Sequence, residues 1–223
     1  MTDVAPPVAV RVWDLPIRVF HWTLTLAVVA LVVTGKVGGN AMEWHFRCGY
    51  GVFALLLWRL LWGFSGSRWT RFASFPVRPS ALARQLREDT SHAGHSPSGA
   101  LSVFALLAAL CAQVAAGLLS WDDIVQIGGP LNRHVSEAAA SRALWFHKAV
   151  GQWLVIGLVL LHVSAVLFYL LARRLDLIRP MWHGDKRLAD ASLAAVDDAA
   201  MRWRALALFA LSAAAVAVVV SLG

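Results

Sequence analysis

Apolar residues run almost unbroken through five stretches of the chain, about Ile17–Thr34, Phe46–Phe64, Ala100–Trp121, Leu144–Leu171 and Trp203–Leu222, each edged by charge, glycine or proline. Roughly 20 apolar residues rising about 1.5 Å each match the hydrocarbon thickness of a bilayer, so each stretch predicts a membrane-crossing helix. The first does not read as a cleaved leader. It lacks a small-x-small site after its apolar core, and Arg11 and Asp14 precede it. The third carries Ala105, Ala108, Ala109, Ala112 and Ala116, which predicts a close-packed helix interface. The pattern gives an all-α integral membrane protein: one compact membrane domain, with the fifth helix appended after a polar linker.

Composition agrees. The chain is 59% hydrophobic and only 15% charged, against about 25% charge in soluble domains. Its net charge of +7 points to cytoplasmic loops rather than to nucleic acid. Five spans place the N-terminus, the Gly63–Gly99 loop and the Ala172–Arg202 loop on one side, which with the helix-end residues Arg59 and Arg204 carries 15 of the 20 Lys and Arg residues. That side is predicted to be cytoplasmic, with the C-terminus external. The cytoplasmic loop carries a candidate interfacial helix at Ser80–Glu88, and the outer loop after Trp121 is long enough to form a docking surface. Cys48 and Cys111 have no close sequence partner and read as small buried residues rather than a disulfide. No Cys-x-x-Cys-His occurs, which excludes covalent c-type haem attachment.

Four of the eight histidines fall in or at the edge of a span, where ionisable groups are costly and mark function. Following the helices through the bilayer puts His21 near the cytoplasmic face, His45 and His147 near the external face, and His162 deeper inside. His147 and His162 are 15 residues apart, roughly 22 Å along an α-helix and only about 60° apart around it. Both therefore face one interior at opposite depths, which pairs His21 with His162 and His45 with His147. Two imidazoles from facing helices at one depth suit bis-axial haem ligation. Haem propionates need cations: Arg18 and Arg59 stand at the cytoplasmic level, Arg47 and Lys148 at the external one. Gly49 and Gly151 follow the outer histidines by one turn, where a missing side chain leaves room for a porphyrin edge.

Plainer roles compete. Any one of these histidines can sit at the headgroup level, and Arg59 can snorkel from its helix end. His92 and His95 read as a solvated loop, and His134 as solvated or as part of a docking surface. Trp58, Trp62 and Trp69 read as an interfacial aromatic belt. Trp22, Trp145 and Trp153 read as packing residues that a haem site would place beside the porphyrin.

The segment "VWDLPIRVFHW" resembles the opening of the bacterial di-haem cytochrome b family, which includes cytochrome b561 proteins and the membrane cytochrome b subunits of nickel-iron hydrogenases and formate dehydrogenases. "EWHFRCGYG", "LWFHKAVGQW" and His162 are similar to it as well. The resemblance covers roughly Val10 to Lys186 and implies a four-helix bundle with two b-type haems held by His21, His45, His147 and His162. It implies electron transfer between the quinone pool, with ubiquinone or ubiquinol as substrate, and an external partner such as a c-type cytochrome or dehydrogenase subunit. It further implies the bacterial inner membrane. On this division residues 1–186 form the di-haem domain, and 187–223 a linker with an additional helix, the fifth span having no counterpart in the four-helix pattern.

The leading expectation is therefore a membrane electron carrier. A second reading is a self-contained quinone-coupled oxidoreductase acting on superoxide or ferric iron, with Arg47, Arg133 and Lys148 steering an anion. A third is a non-redox, histidine-rich metal-binding or transport protein. That reading wants carboxylate or thiolate companions within the spans, and Asp and Glu are essentially absent there.

Overall fold

The computed structural model describes residues 7–87 and 92–223, the Leu86 side chain excepted. Five helices are long and apolar enough to cross a membrane: Leu15–Val37, Gly39–Ser65, Pro97–Leu119, Glu137–Leu171 and Ala199–Ser221. The chain is an all-α, multi-pass membrane protein. The principal helices are α1 (Leu15–Val37), α2 (Met42–Ser65), α3 (Pro79–Arg87), α4 (Pro97–Leu119), α5 (Glu137–Trp145), α6 (Gln152–Leu171), α7 (Ile178–His183) and α8 (Ala199–Ser221). The strands are short: β1 (Val8–Arg11), β2 (Trp121–Asp122), β3 (Ile127–Gly128) and β4 (Asp185–Leu188).

Local chemistry sets the helix ends. Asp14 accepts from the Ile17 amide at 2.8 Å and caps α1. Pro97 opens α4, where a missing N–H costs nothing. Ser136 caps α5 by accepting from Ala139 N at 3.3 Å. At the end of α7, Gly184 takes φ +91° and lies so close to the chain just after β1 that a Cβ would fall 2.7 Å from the Trp13 carbonyl. Between α5 and α6 the segment Phe146–Gly151 is π-helical, a widened turn often found at functional sites.

One compact unit comprises Met1–Trp22, Arg59–Val103 and His162–Leu208. In it β1 pairs antiparallel with β4, Val8 opposite Leu188 and Arg11 opposite Asp185. Asp197 gathers Arg11 at 2.5 Å, Arg202 at 3.2 Å and Arg18 at 3.9 Å, and accepts from the Leu15 amide. Burial alone would raise its carboxyl, but the hydrogen bonds from Arg202, Leu15 N and Arg11 prevail and hold it below the usual range. Val12, Trp13, Phe20 and Trp62 fill the core. Arg204 donates to the Ser65 carbonyl and lies over Trp62, tying the start of α8 to the end of α2.

The other unit comprises Thr23–Trp58, Phe104–Leu161 and Phe209–Gly223. Its core includes Val52, Leu56, Trp58, Leu110, Ala116, Val155 and Val216. Strands β2 and β3 form a hairpin with Trp121 opposite Gly128. Arg133 donates to the Gly223 carbonyl, and His134 Nε2 lies 3.3 Å from the Leu222 carbonyl, so the loop after the hairpin meets the last residues of the chain.

Several expectations shift. The third span ends at Leu119 and hands Trp121 to the hairpin, while the fourth begins at Glu137. The helix expected at Ser80–Glu88 runs Pro79–Arg87, and Glu88 lies outside the described residues. Trp58 and Trp62 are 4% and 0% exposed; they belong to the core rather than an aromatic belt, because close packing and Arg204 seat Trp62 inward. Trp69 is half-buried and donates to the Leu193 carbonyl at 2.8 Å. The exposed tryptophans are Trp44, Trp145, Trp153, Trp182 and Trp203. The alanine stripe of α4 divides, with Ala109 and Ala116 buried and Ala105, Ala108 and Ala112 exposed. A methyl group is equally suited to a helix contact and to lipid. Cys48 and Cys111 are free and half-buried.

Candidate functional site

His45 and His147 face each other. Their ring centroids are 6.0 Å apart and their planes cross at 86°. His45 sits in the first turn of α2, and its Nδ1 lies 3.0 Å from the Leu31 carbonyl of α1 and 3.4 Å from Thr34 Oγ1. His147 sits in the π-turn, with Nδ1 3.0 Å from the Gln113 carbonyl of α4. A carbonyl only accepts, so in each ring the proton belongs on Nδ1 and the Nε2 lone pair is left bare. Gln113 also donates its side-chain amide to the His147 carbonyl at 3.0 Å. It therefore holds this histidine by both ring and backbone.

The other unit holds His21 and His162. His21 meets Trp22 edge-on at 5.0 Å, and Trp22 stacks on Trp182 at 4.5 Å. Trp22 also donates to the Met181 carbonyl at 3.3 Å. Beside this pair stands His95, which is no solvated loop residue. Its ring lies 4.7 Å from Trp13 and 4.5 Å from Phe75, and its Nδ1 is closed off from solvent with no hydrogen-bond partner among the described residues. Burial, then the charges of Arg59, Lys186 and His162, hold its imidazole down at about 3, from 6.5. Lys186 donates to the His92 and Ala93 carbonyls at 3.0 and 3.2 Å and so anchors this loop.

The four cations expected near propionates all have protein partners. Arg18 donates to the Trp182 carbonyl at 2.5 Å and approaches Asp197. Arg59, 2% exposed, donates to the Thr70 carbonyl at 3.2 Å and lies over Phe72. It is thus buried rather than snorkelling. Arg47 pairs with Glu43 and lies over Trp44, and Lys148 pairs with Asp122 at 2.5 Å. The Lys148 bond, chiefly, lowers the Asp122 carboxyl.

The model of the prokaryotic cytochrome b561 family matches residues 12–184. The chain belongs to this family. It is 26% identical over 228 residues to a "Probable Ni/Fe-hydrogenase B-type cytochrome subunit" of Azotobacter vinelandii, covering 82% of this chain and 90% of that protein. A protein of the same name in Azotobacter chroococcum mcd 1 is 26% identical over 82% of this chain and 90% of its own length. Another, in Bradyrhizobium diazoefficiens, is 22% identical over 81% and 87%. No solved structure matches the chain. As a cytochrome b561 family member it is a membrane electron-transfer cytochrome, and the family's cofactor is haem b. The residues fit that group. Iron held by two imidazoles at about 2 Å each sets the ring centroids roughly 6 Å apart, which is the spacing of His45 and His147. Both rings direct their protons away from the side that would meet iron. Among the described residues no three His, Cys, Asp or Glu side chains cluster as an alternative metal site.

Sequence reasoning missed three participants. Gln113 is the one amide side chain in an apolar span, which is a signal in itself. Gly35 and Gly117 lie against His45 and His147: a Cβ would fall 3.1 Å from His45 Cε1 and 3.0 Å from His147 Cε1, respectively. The glycine at 151 serves Gln113 instead of a porphyrin edge, since a Cβ there would lie 2.0 Å from Gln113 Oε1. At Gly49 only Leu31 Cδ2 comes near, at 3.9 Å.

Proposed function

We propose that this family member relays electrons through two bis-histidine b haems, held by His21 with His162 and by His45 with His147, between the quinone pool and a periplasmic redox partner. The observation that carries the reading is the opposition of His45 and His147 at 6.0 Å, with both Nδ1 atoms turned to backbone carbonyls. When bound, haem supplies one-electron chemistry at iron. The chain's own part is to hold and insulate. His45 with His147, and His21 with His162, would each hold a haem by two imidazoles, which would leave it no place for a bound substrate, so the group would supply electron transfer alone. Apolar helices keep water from the metal and set its potential. Arg18 and Arg59 are assigned to the inner propionates and Arg47 and Lys148 to the outer ones, each sharing or exchanging its present partner.

Ubiquinone or ubiquinol is the proposed quinone substrate. The partner is assigned as a c-type cytochrome or an enzyme's redox subunit. The name shared by the Azotobacter and Bradyrhizobium relatives supports the second. Residues 1–186 are assigned as the di-haem domain and 187–223 as a linker with an added helix. The protein is placed in the bacterial inner membrane with its N-terminus cytoplasmic, on the strength of the Lys and Arg asymmetry.

A reduced-minus-oxidised spectrum of purified protein, with haem and protein quantified together, tests this. Two b haems per chain and no binding of exogenous ligand by the reduced form are expected. A colourless protein from haem-replete cells would overturn the assignment.

A further inference from the structure

The outer histidines are seated by a matched pair of devices on different helices. His45 Nδ1 bonds the carbonyl of Leu31, and the residue one turn on in α1 is Gly35. His147 Nδ1 bonds the carbonyl of Gln113, and the residue one turn on in α4 is Gly117. Both bonds are 3.0 Å. The ideal Cβ positions of the two glycines lie 3.1 and 3.0 Å from Cε1 of the respective rings, and both lie 3.2 Å from Nδ1.

The spacing has a physical reason. In an α-helix the carbonyl of residue i is already engaged by the amide of i+4, and the i+4 side chain stands beside it. A ring from a neighbouring helix comes within bonding distance of that oxygen most easily where i+4 lacks a side chain. The geometry points to Gly35 and Gly117 as positioning residues for the outer haem: each opens a main-chain carbonyl to one axial imidazole, fixing its tautomer and ring plane. The inference rests on the haem reading above. Its consequence for the iron is specific. A neutral carbonyl takes the Nδ1 proton less strongly than a carboxylate would, so both imidazoles remain neutral donors. Rings held at 86° would give a bound ferric haem a strongly anisotropic low-spin signal, because crossed imidazole planes would leave its lower d orbitals nearly degenerate.

An added methyl group tests this with little collateral change, since contacts of 3.0–3.1 Å require the ring to give way by only a few tenths of an ångström. The variants are Gly35→Ala and Gly117→Ala in the full-length protein. Gly157→Ala is the control, because nothing lies within 4 Å of a Cβ there. Redox titration of the two haems and low-temperature ferric EPR are the readouts.

In wild type, two low-spin haems are expected, one of them strongly anisotropic. Either glycine variant should shift the midpoint and reduce the anisotropy of that same haem, or lose that haem alone, while the control moves neither. Both variants act on one iron, so one that fails to assemble leaves the other to report. A wild-type protein without two bis-imidazole haems would sink the haem assignment and the seats together. Two such haems unmoved in both glycine variants would overturn the seats alone, as would shifts falling on different haems.

Discussion

On the proposed reading His45 and His147 hold one haem from different helices, so loss of either would leave that haem with a single imidazole. His45→Ala and His147→Ala should each lower the haem content from two per chain to about one, with the same spectral component missing in both. Loss of different components would show that the two rings do not share an iron. His95 is a different case, a neutral imidazole packed between Trp13 and Phe75. Its native value of about 3 lies far below the ordinary 6.5, so between those values the unfolded chain binds a proton that the native chain does not. The stability it contributes is complete above pH 6.5 and is lost as the pH falls from 6.5 toward 3. Thermal melts between pH 7 and 4 should show this decline. In His95→Gln the decline should be shallower, and an equal slope would mean that another group titrates.

The π-turn and Gln113 form one mechanical element. Gly151 gives Gln113 its space, and Gln113 donates to the His147 carbonyl. Gly151→Ala would drive a methyl group into an amide 2.0 Å away. Overpacking of this kind costs about 1–3 kcal/mol, so a lower melting temperature is expected together with weaker retention of the outer haem. Here the limits of the sequence become clear. Span number and the depth pairing of the histidines are legible, because hydropathy and helical rise carry them. The π-turn is not: "FHKAVG" has nothing to exclude an ordinary α-turn, and the extra residue per turn follows from tertiary contacts. Gly35 and Gly117 escape for a related reason. A glycine beside its own helix's histidine is visible in the string, whereas one that receives a neighbour's histidine is visible only once the helices are placed. Trp58 and Trp62 mislead because tryptophan near a helix end is equally at home in the headgroup region and in a core.

For the molecule as a whole, the excess of Lys and Arg on one side fixes the expected topology. A reporter that is active only in the periplasm should work when fused after Gly223, and one that is active only in the cytoplasm should work at the N-terminus. The reverse pattern would invert the assignment of both haems to membrane faces. Sequence reasoning found no role for the fifth helix. In the structure Arg204 fastens its start to Ser65 and Trp62, and Arg133 and His134 meet residues at its far end. It is tied in at both ends, as a single helix beside a bundle must be if it is to keep one register.

The carbonyl seats have a consequence for how such a chain changes over generations. Every amino acid brings the same main-chain oxygen, so position 31 can drift among apolar residues without withdrawing the acceptor that His45 uses. The cost of error falls instead on position 35, where the useful group is a hydrogen atom and every amino-acid replacement adds bulk. A comparison of descendants that weighed only side chains would overlook the atom that makes the contact and register only the vacancy that admits it.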